Sequence, residues 1–166
     1  DYLKKKKEKI DFCIVGEPTN PNKLGEMIKI GRRGSISGTI IITGSQGHVA
    51  YPHLSNNPIN TLVKICKKLN EQKLDKGNKN FQPSNLEITS INVDNTATNV
   101  IPASARAQFN VRFNNLHTSH SLKKKINLIV KNLSKKNKCK FKINFHVSGE
   151  SFLTKPNKTI FMARDI

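Results

Sequence analysis

Ala103-Ser104-Ala105-Arg106-Ala107-Gln108-Phe109-Asn110-Val111-Arg112-Phe113 alternates without interruption. Ala105, Ala107, Phe109, Val111 and Phe113 share one face, and Arg106, Gln108, Asn110 and Arg112 share the other. Successive strand side chains point to opposite faces, so the stretch predicts a strand with one face in a core and one face polar.

Upstream, Leu86 to Val93 alternates with an interruption that predicts a bulge near Ser90, and it follows a polar loop, Leu74 to Ser84. Asn57-Pro58 starts a helix, Asn as cap and Pro pre-set at the first helical position, with Ile59, Leu62, Val63, Cys66 and Leu69 at helical spacing. Before it, Ile36 to Thr43 reads as a strand whose Ile40-Ile41-Ile42 predicts burial on both faces. Downstream, Thr118 or Ser119 caps a helix carrying Leu122, Ile126, Ile129, Val130 and Leu133, and Cys139 to Val147 alternates as a last strand. The order strand, helix, strand, strand, helix, strand predicts an α+β fold: a ferredoxin-like βαββαβ unit, one antiparallel sheet with two helices on one face. Its edge strands invite pairing with a second copy.

The strand at Ile36 to Thr43 runs into Gly44-Ser45-Gln46-Gly47-His48-Val49-Ala50-Tyr51-Pro52-His53-Leu54. Loops held by rigid elements are where chemistry concentrates, and His48 is the candidate functional residue. Tyr51 and His53 are expected to pack the loop; His117, His120 and His146 are expected at the surface. Lys29 to Ser35 places Arg32 and Arg33 between glycines, and in an extended chain the two guanidiniums point to opposite sides, so one could take a carboxylate. Ile10 to Val15 reads as a short buried strand stopped by Gly16 and Pro18, which puts Glu17 at a strand's carboxyl end, where ligands gather in open α/β sheets; on spacing alone a solvent-exposed turn glutamate is the stronger of the two readings.

The chain has 166 residues, with Lys+Arg 29 against Asp+Glu 11 and a formal net charge of +18, enough for one compact domain. The lysines fall in short runs, Lys4 to Lys7, Lys123 to Lys125 and Lys135-Lys136, without interleaved aromatics, which reads as solvated faces rather than a nucleic-acid surface. Cys13, Cys66 and Cys139 are widely spaced among apolar neighbours, so neither a disulfide framework nor a cysteine zinc site is expected and a reducing, cytoplasmic setting fits. No segment approaches a membrane span or a secretory signal. A chain beginning at Asp1 and ending at Ile166 in a helix-like start reads as part of a longer protein.

Val15-Gly16-Glu17-Pro18-Thr19, Gly31-Arg32-Arg33-Gly34-Ser35, Gly47-His48-Val49-Ala50-Tyr51-Pro52-His53-Leu54, Asn57-Pro58, Thr98-Asn99-Val100-Ile101-Pro102, Phe109-Asn110-Val111-Arg112 and Ser148-Gly149 with Phe152-Leu153-Thr154 occur in this order. In this the chain resembles the dinuclear-zinc aminoacylases and carboxypeptidases, in the branch that desuccinylates N-succinyl-LL-2,6-diaminopimelate. The resemblance implies a dimerisation (lid) domain at 25–148, flanked by short pieces of a zinc-hydrolase catalytic domain at 1–24 and 149–166. It implies a homodimer acting on a small-molecule substrate, with two zinc ions, or cobalt, in the complete enzyme and with neither nucleic acid nor membrane as partner. Glu17 matches a carboxylate metal ligand. His48 matches the histidine sent across the dimer interface to support an oxyanion. Arg32, Arg33, Ser35, Asn99 and Arg112 match positions that bind the substrate's carboxylates and succinyl group. A related metal-dependent deacylase or carboxypeptidase, or an inactive stand-alone dimerisation module, are the alternative readings.

Overall fold

The computed structural model describes residues 2–11, 13–15, 20, 22–23 and 26–164. The chain divides into two compact units, Asp1–Lys29 with Pro156–Ile166, and Ile30–Lys155. The first unit contains helix α1 (Tyr2–Lys5) and helix α4 (Lys158–Arg164). The strand expected at Ile10 to Val15 does not form in its described residues, where Ile14 and Val15 are exposed. A strand needs a neighbour for its backbone ladder, and Phe12, Gly16 and Glu17 lie outside the described residues.

The second unit begins with β1 (Gly31–Arg32) and β2 (Gly34–Thr43), then β3 (Gly47–His48), a 3-10 turn at Pro52–Leu54 and helix α2 (Pro58–Asn70). It continues with β4 (Asn85–Asn92), β5 (Val100–Ile101), β6 (Ser104–Phe113), helix α3 (Ser119–Lys136), β7 (Lys140–Gly149) and β8 (Phe152–Leu153). The main sheet has the order β4-β6-β2-β7 with antiparallel neighbours throughout. Each helix crosses over one intervening strand, which is the expected ferredoxin-like arrangement.

The helices start where local chemistry predicts. Asn57 accepts the Ile59 N–H through its side chain at 2.9 Å, with Pro58 at the first helical position. Thr118 and Ser121 form a reciprocal capping box. Both helices lie on the face of the sheet lined by Ile36, Ile40, Ile42, Leu86, Ala105, Ala107, Phe109, Val111 and Phe113, and Leu62, Ile65, Leu69, Leu122, Ile126 and Val130 complete this core. Gly38 pairs with Phe109 and Gly34 with Phe113, and in each pair the ring occupies the space a Cβ would take.

The opposite face of the sheet is polar. Ile41 belongs to it and is only half-buried, so the double-sided burial expected for Ile40-Ile41-Ile42 is corrected: the strand is covered on one side, and alternation governs even within three isoleucines. The bulge expected near Ser90 is present as a register shift between Ile88 and Ser90. A second shift lies in the β2–β7 pairing, where Ile36 faces Val147 but Ser35 faces Gly149.

Two small ladders lie outside the main sheet. β1 pairs with β8 where the chain enters and leaves the unit, and Thr154 N–H donates to Ile30 O at 2.7 Å. β3 pairs with β5, so the loop after β2 and the connection from β4 to β6 are held together beyond the far end of the sheet.

Candidate functional site

His48 sits in β3, paired with Val100 of β5, and the adjacent Val49 N–H donates to Asn99 O at 3.0 Å. This brings His48 and Asn99 together although 51 positions separate them. The backbone N–H of Ala50 donates to His48 Nδ1 at 3.1 Å. With Nδ1 acting as acceptor, the neutral imidazole carries its proton on Nε2, and the exposed ring offers that N–H outward. Tyr51, expected to pack the loop, is exposed to solvent, with its ring centroid 6.0 Å from that of His48 and 6.4 Å from that of His53 in the same loop.

The remaining candidate residues gather at the other end of the sheet. Ser35 lies opposite Arg112 on one side and Gly149 on the other, and the Arg32 guanidinium lies against Gly149. Asn110 donates to Ser37 Oγ at 3.0 Å and to Ser35 Oγ at 3.4 Å, so the hydroxyls on the polar face are held in a network. Arg32 and Arg112 are exposed, while Ser35 is buried, 7% exposed. Arg33 points elsewhere: its Nη1 donates to Pro83 O and Asn85 Oδ1, both at 3.3 Å. The ten residues of β2 span roughly 30 Å at strand rise, so the His48–Asn99 group and the Arg32–Ser35–Arg112 group cannot meet on one ligand within one chain.

A third cluster has no counterpart in the sequence reading. Asp75 accepts from Gly77 N–H at 2.6 Å, from Asn114 Nδ2 at 2.8 Å and from Ser84 N–H at 3.2 Å. Burial raises the Asp75 carboxyl, but the hydrogen bonds from Ser84, Gly77 and Asn114 outweigh it and bring it down to about 2. His117, expected at the surface, is corrected to a half-buried residue whose Nε2 lies 3.1 Å from Asp75 Oδ2, because the turn after β6 folds back onto the loop before β4. The loop from Leu74 to Ser84 was visible as polar; the partners of Asp75 within and beyond it were not.

Glu17 lies outside the described residues. Among the described residues no group of three or more His, Cys, Asp or Glu side chains is arranged to hold a metal ion. Among the same residues no helix is long and apolar enough to cross a membrane.

A one-sided antiparallel sheet under two helices, with β4 and β7 as free edges, is the architecture of an association module. The chain belongs to the M20 peptidase dimerisation domain family, which matches residues 30–150. It is 66% identical over all 166 residues to a succinyl-diaminopimelate desuccinylase of Pelagibacter ubique, covering 43% of that protein, and 51% identical over 156 residues to one of Parvibaculum lavamentivorans, covering 40%. The chain thus spans about two-fifths of the length of these curated relatives. A solved structure of a putative aminohydrolase from methicillin-resistant Staphylococcus aureus superposes with a TM-score of 0.69 at 18% identity, covering 82% of this chain and 36% of that one. At that identity the likeness concerns the fold.

Proposed function

We propose that this chain is the dimerisation part of a cytoplasmic amidohydrolase that cleaves N-succinyl-LL-2,6-diaminopimelate to succinate and LL-2,6-diaminopimelate, a step toward diaminopimelate and lysine. The observation that carries this reading is the 66% identity over the whole chain to a relative of that name. Geometry supports it. Amide hydrolysis develops an oxyanion on the carbonyl, and the Nε2–H of His48 is a pre-set donor for it, a contribution of roughly 3 kcal/mol for such donors. A substrate with several carboxylates suits Arg32 and Arg112 around Ser35. Asn99, beside His48, serves the acyl end of the same ligand.

The two groups act on one substrate only if they come from different subunits. A two-fold pairing of sheets edge to edge runs them antiparallel, which brings the His48 end of one copy alongside the Arg112 end of its partner. We assign that role to the β4 edge with α2, where Val63 and Ile91 are exposed beside Lys64, Lys67 and Lys68; the β7 edge with α3 exposes Leu128 and Phe141 among Lys124, Lys125, Lys131, Lys140 and Lys142. The catalytic metal centre, two zinc or cobalt ions, belongs to the rest of the enzyme, with Glu17 as one carboxylate ligand. When bound, such a centre lowers the pKa of the attacking water and polarises the carbonyl.

The test is an assay of the full-length protein with zinc on N-succinyl-LL-2,6-diaminopimelate and on N-acetylornithine. Release of succinate with little deacetylation supports the reading. Deacetylation without succinate release replaces it with a related deacylase.

A further inference from the structure

We propose that Gly149 is a positioning residue: its lack of a side chain seats the Arg32 guanidinium beside Ser35, facing Arg112, where it grips a substrate carboxylate. The proposal rests on the reading of Arg32 and Arg112 as a carboxylate clamp, and adds to it a residue that touches no substrate.

Three observations carry it. First, a Cβ on Gly149 falls 2.6 Å from Arg32 Nη2 and 3.8 Å from its Cζ, and no other described atom outside its chain neighbours comes within 4 Å. A methyl group at this position would therefore displace the arginine's end and nothing else. Secondly, the register shift between Ser35 and Ile36 skips Ser148 and sets Gly149 opposite Ser35. Without the shift the partner of Ser35 would be Ser148, which has a Cβ. Bulges next to functional sites commonly re-aim one residue in this way. Thirdly, Arg33 is occupied by Pro83 O and Asn85 Oδ1, and of the arginine pair Arg32 is the one that lies against Gly149, the residue opposite Ser35. Strand neighbours lie about 4.8 Å apart, so Gly149, Ser35 and Arg112 span about 10 Å across three strands, a width that two guanidiniums can close around one carboxylate.

Gly149→Ala separates positioning from folding, because the atom it meets is the far end of a flexible side chain and the glycine holds no left-handed backbone angle. In the full-length enzyme Gly149→Ala, Arg32→Ala and the double variant are compared for KM on N-succinyl-LL-2,6-diaminopimelate, for the inhibition constant of succinate, for kcat and for melting temperature. Gly149→Ala is expected to raise KM and the succinate inhibition constant about tenfold, the size of one charged hydrogen bond, with kcat and melting temperature little changed. The double variant should be no worse than Arg32→Ala, because the methyl group acts only through that side chain. If Arg32→Ala raises KM while Gly149→Ala leaves it at the parent value, or if the two effects add, the positioning role is wrong. If Arg32→Ala itself leaves KM unchanged, the clamp reading falls, and the role of Gly149 with it.

Discussion

Asn114 Nδ2 donates to Asp75 Oδ1 at 2.8 Å, joining the residue that follows β6 to the loop that precedes β4. Asn114 is fully buried and also donates to Gln82 O at 3.2 Å, while its Oδ1 accepts the Leu116 N–H at 3.0 Å. Its backbone N–H donates to Ser84 Oγ at 2.9 Å. The network sits two residues from Arg112 and beside the Pro83–Asn85 segment that holds Arg33, so it buttresses the arginine end of the sheet.

Asp75→Asn should therefore destabilise the unit. The amide replaces one acceptor oxygen by a donor facing N–H groups, at a cost of about 1–3 kcal/mol, readable as a lower urea midpoint with unchanged slope. The pH dependence has a definite sign. The folded carboxyl at about 2 is depressed below its ordinary 3.8, so its stabilisation is present above pH 4 and is lost as pH falls from there toward 2. Asp75→Asn should remove that component of the acid transition; an identical transition in parent and variant would refute the assignment.

His48→Ala in the full-length enzyme should lower kcat about a hundredfold or more, with KM, metal content and dimer mass little changed. His48→Gln, which keeps an amide N–H on a side chain of similar reach without a titrating ring, should retain more activity than His48→Ala. Equal kcat in parent and His48→Ala would eliminate the oxyanion role.

Subunit sharing makes a sharper prediction. Enzymes carrying His48→Ala and Arg112→Ala are each impaired, but a mixed dimer has one doubly altered site and one site free of both changes. Mixing the two and allowing subunit exchange should restore activity well above either parent variant. No recovery under demonstrated exchange would mean that both residues serve the site of their own subunit.

Val63→Asp and Ile91→Asp place charge on the α2–β4 edge and should shift the protein toward monomer in light scattering, with activity falling in step. Lys131→Asp on α3 should leave the dimer intact. Dissociation by the α3 change alone would move the interface to the β7 edge.

Strict alternation in Ser104–Phe113, helical spacing in Pro58–Asn70 and the caps at Asn57 and Thr118 made the ferredoxin-like order legible in the sequence, because each is a local property of a few consecutive residues. The same local rule misled at Ile10 to Val15, since an apolar run does not contain its strand partner, and at Ile40-Ile41-Ile42, since apolar character does not say how many faces are covered. Arg32, Arg33, Ser35, Asn99 and Arg112 were nameable one by one as candidates for a carboxylate ligand. Only the tertiary structure sorted them, with Asn99 beside His48 through the β3–β5 ladder, Arg33 tied to Pro83 and Asn85, and Arg32 resting on Gly149. Those partners lie 50 to 117 positions apart, and which of them meet is decided by strand order and by a one-residue shift in register. Periodicity fixes which face a residue takes; long-range pairing alone decides what it faces.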